Sequence, residues 1–398
     1  MTRAASSCGA AAGRWALSCA LALGAVTALA GAPMPRLPKA PAGQGDDCRT
    51  CHAEAWVGKE IIHPPVKNGL CLGCHVSTSD TAHTFDLAGD GKALCAQCHS
   101  TRDSKKVQHP PVTEGLCLDC HDPHASNEHA RLRQSPFDTC TRCHPSKRAQ
   151  NDTSLTKHGA LDPKQNPRVC VACHDAHESD HERRLHDWPV EKVCVTCHDK
   201  QVQAPDKLLM DLKGWLDRHD AGTMRHGPVR EGRCPDCHEP HGTSEFRMLK
   251  GSYPAAPYTP FASPAEDYGL CFRCHDTRLV TEKELYEKAV SNPDPAVDLS
   301  WRALDGGTRL VRQGTTGFRN GEENLHVRHV NKIDKGRTCR FCHDVHASEN
   351  PKHVRTTTTF GSWEFPLNYQ KTTTGGSCWP GCHAQRQYDR HQRKENPR

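Results

Sequence analysis

The stretch His109-Pro-Pro-Val-Thr-Glu-Gly-Leu-Cys117-Leu-Asp-Cys120-His121-Asp-Pro-His124-Ala-Ser126 decides how this chain folds. At its centre is the pentapeptide Cys-x-x-Cys-His. One histidine stands eight residues before it and another three residues after it. Nine further pentapeptides occur: Cys48, Cys51, His52; Cys71, Cys74, His75; Cys95, Cys98, His99; Cys140, Cys143, His144; Cys170, Cys173, His174; Cys194, Cys197, His198; Cys234, Cys237, His238; Cys271, Cys274, His275; and Cys339, Cys342, His343. An eleventh, Cys378, Cys382, His383, has one extra residue between its cysteines, and Pro380-Gly381 supplies the turn.

A Cys-x-x-Cys pair alone fits a zinc half-site or a redox dithiol. Zinc needs two pairs per ion and no histidine after each pair, and a redox dithiol needs one motif. Here histidine follows the second cysteine every time, which is the attachment signal for c-type haem. The thiols bond the porphyrin and the histidine ligates its iron. Of 24 cysteines the motifs use all but Cys8 and Cys19, so none remains for disulfides. The expected cofactors are eleven covalently attached haem c groups.

After the lone Cys48 motif the other ten form five pairs. Each leading motif has an upstream histidine: His63, His109, His158, His226 or His329. Four also have a downstream one: His124, His177, His241 and His346; in the first pair His83 takes that place. A six-coordinate haem needs a second axial ligand besides the motif histidine. These ten histidines are expected to supply it, with His124 and its equivalents serving the partner site of their own pair. The first haem needs one more, from among His129, His181, His186, His219, His326, His353 and His391. His186, in His186-Asp-Trp-Pro-Val eight residues before Cys194, is best placed by pattern. Proline after His63 and His109 keeps those histidines extended. Methionines are few, and bis-histidine ligation implies low potentials.

Residues 1–30 read as a secretory signal, with Arg3 and Arg14 before the apolar run Ala16 to Ala30 and a small-x-small site at Ala28-Leu29-Ala30. That run is short for a retained anchor, and no later segment is expected to span a bilayer. Export to the periplasm, the outer membrane or the cell exterior is expected, because bacterial haem attachment occurs outside the cytoplasm. Residues 31–47 read as a flexible lead-in, 48–200 as a seven-haem region and 201–398 as a four-haem region with inserts. Helices are expected over Lys207–Leu216 and Thr281–Val290, a loop or hairpin over Gly306–Gly321, and a hairpin within residues 355–377.

Only 35% of the residues are apolar, too few for an ordinary core. Each porphyrin is a large flat apolar body, and the chain is expected to wrap around its haems. The formal charge of +5 becomes roughly −8 oxidised and −19 reduced once the signal is removed and haem propionates are counted. The basic residues therefore read as propionate partners, and no nucleic-acid partner is expected.

The run from His109 to Ser126, repeated over His226 to Thr243, resembles the doubled Cys-x-x-Cys-His motif cytochromes of the cytochrome c3-like group. The resemblance implies a multihaem c-type cytochrome, mostly irregular with short α-helices and little β-structure, wrapped around closely packed, low-potential bis-histidine haems. It implies electron transfer in anaerobic or metal-respiring bacteria, without a catalytic residue. Partners are then other redox proteins: quinol-oxidising or outer-membrane cytochromes, or a porin. The alternative is a multihaem reductase of nitrite, hydroxylamine or a sulfur oxyanion with one open haem.

Overall fold

Four of the five upstream histidines, His63, His109, His158 and His226, each precede a single helical turn, whereas His329 lies within the helix Leu325–Val330. In the computed structural model His63, His109 and His226 have extended backbones (ψ 133°, 127° and 143°) and precede the turns Pro64–Lys67, Pro110–Thr113 and Gly227–Arg230. Proline at the first or second position suits a helix start, where its missing N–H costs nothing. In the first three-residue exit, Gly69 takes φ +72°, and Gly115 and Gly232 follow suit at +76° and +66°. The left-handed glycine swings the chain from the turn into the next motif. The motifs themselves form one tight turn, such as Cys117–Cys120 or Cys339–Cys342.

The structure describes residues 46–79, 81–203, 208–209, 211–218, 224–281 and 316–397. The expected signal at 1–30, most of the lead-in, the helix at Thr281–Val290 and most of Gly306–Gly321 lie outside them. Ala40–Arg398 is one unit by its internal contacts. Its elements are short: the longest described helix is Pro145–Thr153, and the strands run two to four residues. The chain is mostly irregular with short helices and little β, as the resemblance implied. Lys207–Leu216 divides into a strand at Leu208–Leu209 and a helix at Leu212–Arg218. The hairpin within 355–377 joins Thr357–Phe360 to Trp363–Pro366.

Two-residue ladders stitch each repeat to the next. Ile61–Ile62 pairs with Ala125–Ser126, Val107–Gln108 with Glu178–Ser179, and Met224–Arg225 with Ala347–Ser348. Thr156 bridges Thr243 in the same way. Each ladder joins the segment before one upstream histidine to the segment after the next repeat's downstream histidine. One apolar cluster forms around Tyr253, Tyr268, Val280 and Val330, and it includes Cys271 and Cys339. The protein thus invests its apolar contacts around motif cysteines.

Candidate functional site

Downstream histidines are placed by a polar turn. Asp122 Oδ1 accepts hydrogen bonds from the His124 and Ala125 amides at 2.9 and 3.2 Å. Asp175 does the same for His177 and Glu178, and Asp344 for His346. The chain then makes a turn with two successive left-handed residues: Ala130-Arg131, Arg183-Arg184, Arg247-Met248 and Lys352-His353. None is glycine, so each pair carries backbone strain. The first residue's carbonyl accepts from Nδ1 of the motif histidine nine residues earlier: His121 to Ala130 (2.9 Å), His174 to Arg183 (2.8 Å), His238 to Arg247 (3.2 Å) and His343 to Lys352 (2.9 Å).

The upstream histidines are fixed similarly. Nδ1 of His63 donates to Pro123 O, His109 to Ala176 O, His158 to Pro240 O and His329 to Leu325 O. His241 donates Nδ1–H to Glu239 at 3.0 Å. A carbonyl or carboxylate can only accept, so these rings carry their proton on Nδ1. Nε2 is left as the lone-pair nitrogen, the form a metal requires. Burial favours the neutral form of four histidines: it pushes His226, His329 and His346 down to about 4 and His326 to about 3.

Ten of the eleven motif histidines face a second imidazole across a gap. Ring centres lie 5.9 Å apart for His52–His83, 6.0 for His63–His99, 6.1 for His75–His124 and 6.2 for His109–His144. The separation is 6.0 Å for His121–His177, 6.2 for His158–His198 and 6.3 for His174–His241. It is 6.0 Å for His226–His275, 6.4 for His238–His346 and 6.3 for His326–His343. In all ten the planes lie within 25°. His329 lies near enough to His383 to feel its charge.

The register of these pairs differs from the expected one. The downstream histidines do not meet the other motif of their own pair. His124, His177, His241 and His346 face the leading motif of the preceding pair. His63, His109, His158 and His226 face the trailing motif of their own pair. The lone Cys48 motif thus behaves as the leading half of a preceding pair, and His83 meets its His52. The last leading motif has no following repeat, and His326 faces its His343. His186 is in none of these pairs: its Nε2 lies 2.9 Å from Val171 O. The position of His326, three residues before His329 on the helix Leu325–Val330, was the signal available in the sequence.

These dimensions fit a metal between the rings. Two metal–imidazole bonds of about 2.0–2.1 Å each, plus about 1.1 Å from nitrogen to ring centre, give about 6.3 Å. Among the described residues no three His, Cys, Asp or Glu side chains converge as a bare metal site would require. Two opposed imidazoles would hold a haem iron between them, and the cysteines beside one ring of each pair would attach the porphyrin. All 22 motif cysteines are free of disulfides.

Consecutive motifs also meet. Cys71 lies within hydrogen-bonding reach of Cys48, Cys95 of Cys117, Cys140 of Cys170, Cys194 of Cys234, and Cys271 of Cys339. Within the pairs, Cys74 feels Cys98, Cys120 feels Cys143, Cys173 feels Cys197, Cys237 feels Cys274, and Cys342 feels Cys378 and Cys382. The attachment points therefore follow one another in space in the order of the sequence.

Comparison with known proteins agrees with this geometry. The model of the doubled CXXCH motif family matches residues 63–104, 109–149, 158–203 and 226–279, each match spanning one upstream histidine and two attachment motifs. No curated protein matches the chain. No helix among the described residues is long and apolar enough to cross a membrane. The repeated attachment motifs, the opposed histidines and the fourfold family match make the chain a member of the doubled CXXCH motif family, a multihaem c-type cytochrome of electron transfer.

Proposed function

We propose that the chain holds eleven haem c groups, each ligated by two histidines, and carries electrons along them in sequence order. The observation that carries this reading is the set of ten opposed imidazole pairs, one on each of the first ten motif histidines. His329 serves as the partner of His383 on the eleventh. Bound haem supplies the one-electron iron couple. The protein's contribution is positional. The Nδ1–H bonds fix the ring tautomers and the interlocked repeats hold neighbouring attachment points together. The second imidazole fills the position at which a substrate would bind iron, which favours a carrier over a reductase.

The same reading extends to the cell. Residues 1–30 direct export, and the mature chain exchanges electrons with other redox proteins of an anaerobic or extracellular respiratory chain. A pyridine haemochrome assay on the purified holoprotein should give eleven haems per chain, and electron paramagnetic resonance should show low-spin ferric iron throughout. Fewer haems, or a high-spin signal that responds to nitrite, hydroxylamine or sulfite, would overturn the carrier reading. Cell fractionation tests the export.

A further inference from the structure

The second residue of each left-handed turn stands at a repeated place, and its chemistry changes along the chain. Its carbonyl accepts from the residue after the motif histidine: Asp122 N to Arg131 O, Asp175 N to Arg184 O, Glu239 N to Met248 O, and Asp344 N to His353 O. The four positions are therefore equivalent. From there Arg131 acts on His63, the upstream histidine of the preceding repeat, and Arg184 acts on His109. His353 packs edge-on against His226 at 5.6 Å. The charges acting on His158, the corresponding ring for Met248, come from His198 and His241.

Both arginines are partly buried, and their Nε atoms are shielded from solvent without a hydrogen-bond partner. Burial disfavours their charge, and the opposing influence comes from Asp122 for Arg131 and Asp175 for Arg184. A guanidinium does not give up its proton in a protein. Each is thus a fixed positive charge, poorly hydrated, beside one axial histidine of the Cys95 or Cys140 site. Reduction of ferric iron adds one electron and no proton, and a nearby fixed positive charge stabilises the reduced form. A guanidinium paired with a propionate shifts the couple in the same direction.

We propose that Arg131 and Arg184 are tuning residues that make the Cys95 and Cys140 sites easier to reduce than the Cys194 site, where methionine holds the equivalent position. The electron comes from a neighbouring ferrous haem of the same chain. The inference rests on the bis-histidine reading above. Its consequence is a step in potential between the first two repeats and the third. Electrons entering the chain would collect at the two arginine-bearing sites.

The test is an optical redox titration of the holoprotein with haem content and electron paramagnetic resonance recorded in parallel. In Arg131→Met and in Arg184→Met, one component of about one eleventh of the absorbance change should move to lower potential. Met248→Arg should move one component upward. Arg131→Lys keeps the charge and should retain the parent curve. Superimposed curves for all three charge-changing variants, with full haem content and low-spin spectra, would overturn the proposal. So would Arg131→Lys behaving like Arg131→Met, which would indicate a packing role. Incomplete haem loading or high-spin iron in the unmutated protein would instead defeat the ligation reading.

Discussion

Replacing His326 with alanine should open one haem and only one. His326 lies on the helix Leu325–Val330 between the buried Leu325 and Val327, with its ring 6.3 Å from that of His343 and 5.2 Å from Phe318. Its Nδ1 meets Thr316 Oγ1 at 3.1 Å, so the ring is held from both sides. On the proposed bis-histidine ligation, truncation removes the second axial ligand of the Cys339 site. About one eleventh of the iron should become high-spin, and about one carbon monoxide should bind per chain after reduction. The cavity left by the imidazole should cost about 2–4 kcal/mol in addition to the lost metal bond. His186→Ala is the matched control. That residue is exposed and makes one hydrogen bond to Val171 O, so its loss should cost about 1 kcal/mol and leave every iron low-spin. Electron paramagnetic resonance and carbon monoxide titration of both variants decide the matter. An entirely low-spin His326→Ala protein, or a high-spin signal from His186→Ala, would refute the assignment of His326.

Three further outcomes follow from the same geometry. His83→Ala should open the Cys48 site, giving about one equivalent of bound carbon monoxide, because His83 is the ring facing His52. Asp122→Ala should lower stability by about 1–2 kcal/mol, measured by denaturant unfolding of the holoprotein, since it removes the acceptor of the His124 and Ala125 amides. Asp389 is held down at about 2 by hydrogen bonds from Thr374 and from the His391 and Gln392 amides. Its folded value lies below its unfolded one, so its contribution is complete above about pH 4 and fades as pH falls toward 2. Asp389→Asn should therefore flatten the acid limb of unfolding, and an unchanged acid limb would contradict that role.

The attachment motifs were legible in the sequence because covalent haem chemistry demands one pentapeptide. The register of the second ligands was not. A repeat supplies the same upstream and downstream histidine at every step, so ligation within a repeat and ligation across repeats satisfy the same count. The two are separated by backbone pairing that no local signal encodes, such as Ile61–Ile62 against Ala125–Ser126. The left-handed turns were equally silent, since Ala130-Arg131 and Lys352-His353 lack the glycine or asparagine that usually marks positive φ. Their trace is the fixed interval of nine residues from motif histidine to the accepting carbonyl, for example His121 to Ala130 and His343 to Lys352.

Cross-repeat ligation also accounts for the two irregular ends. If every leading site takes its second histidine from the following repeat, a chain of such repeats must begin with an unaccompanied motif or an unused histidine. This one begins with the lone Cys48 motif, and His83 is its donor. At the other end the Cys339 site would be left waiting for a histidine from a sixth repeat. The helix Leu325–Val330 places His326 opposite His343 and His329 near His383, so one turn of helix serves the last two sites. Phe318 packs against both of its rings, at 5.2 and 5.8 Å, and against Tyr388 at 4.9 Å, which ties that helix to the final strand Arg386–Asp389. One helix of six residues thus carries the rings that stand at the last two motifs.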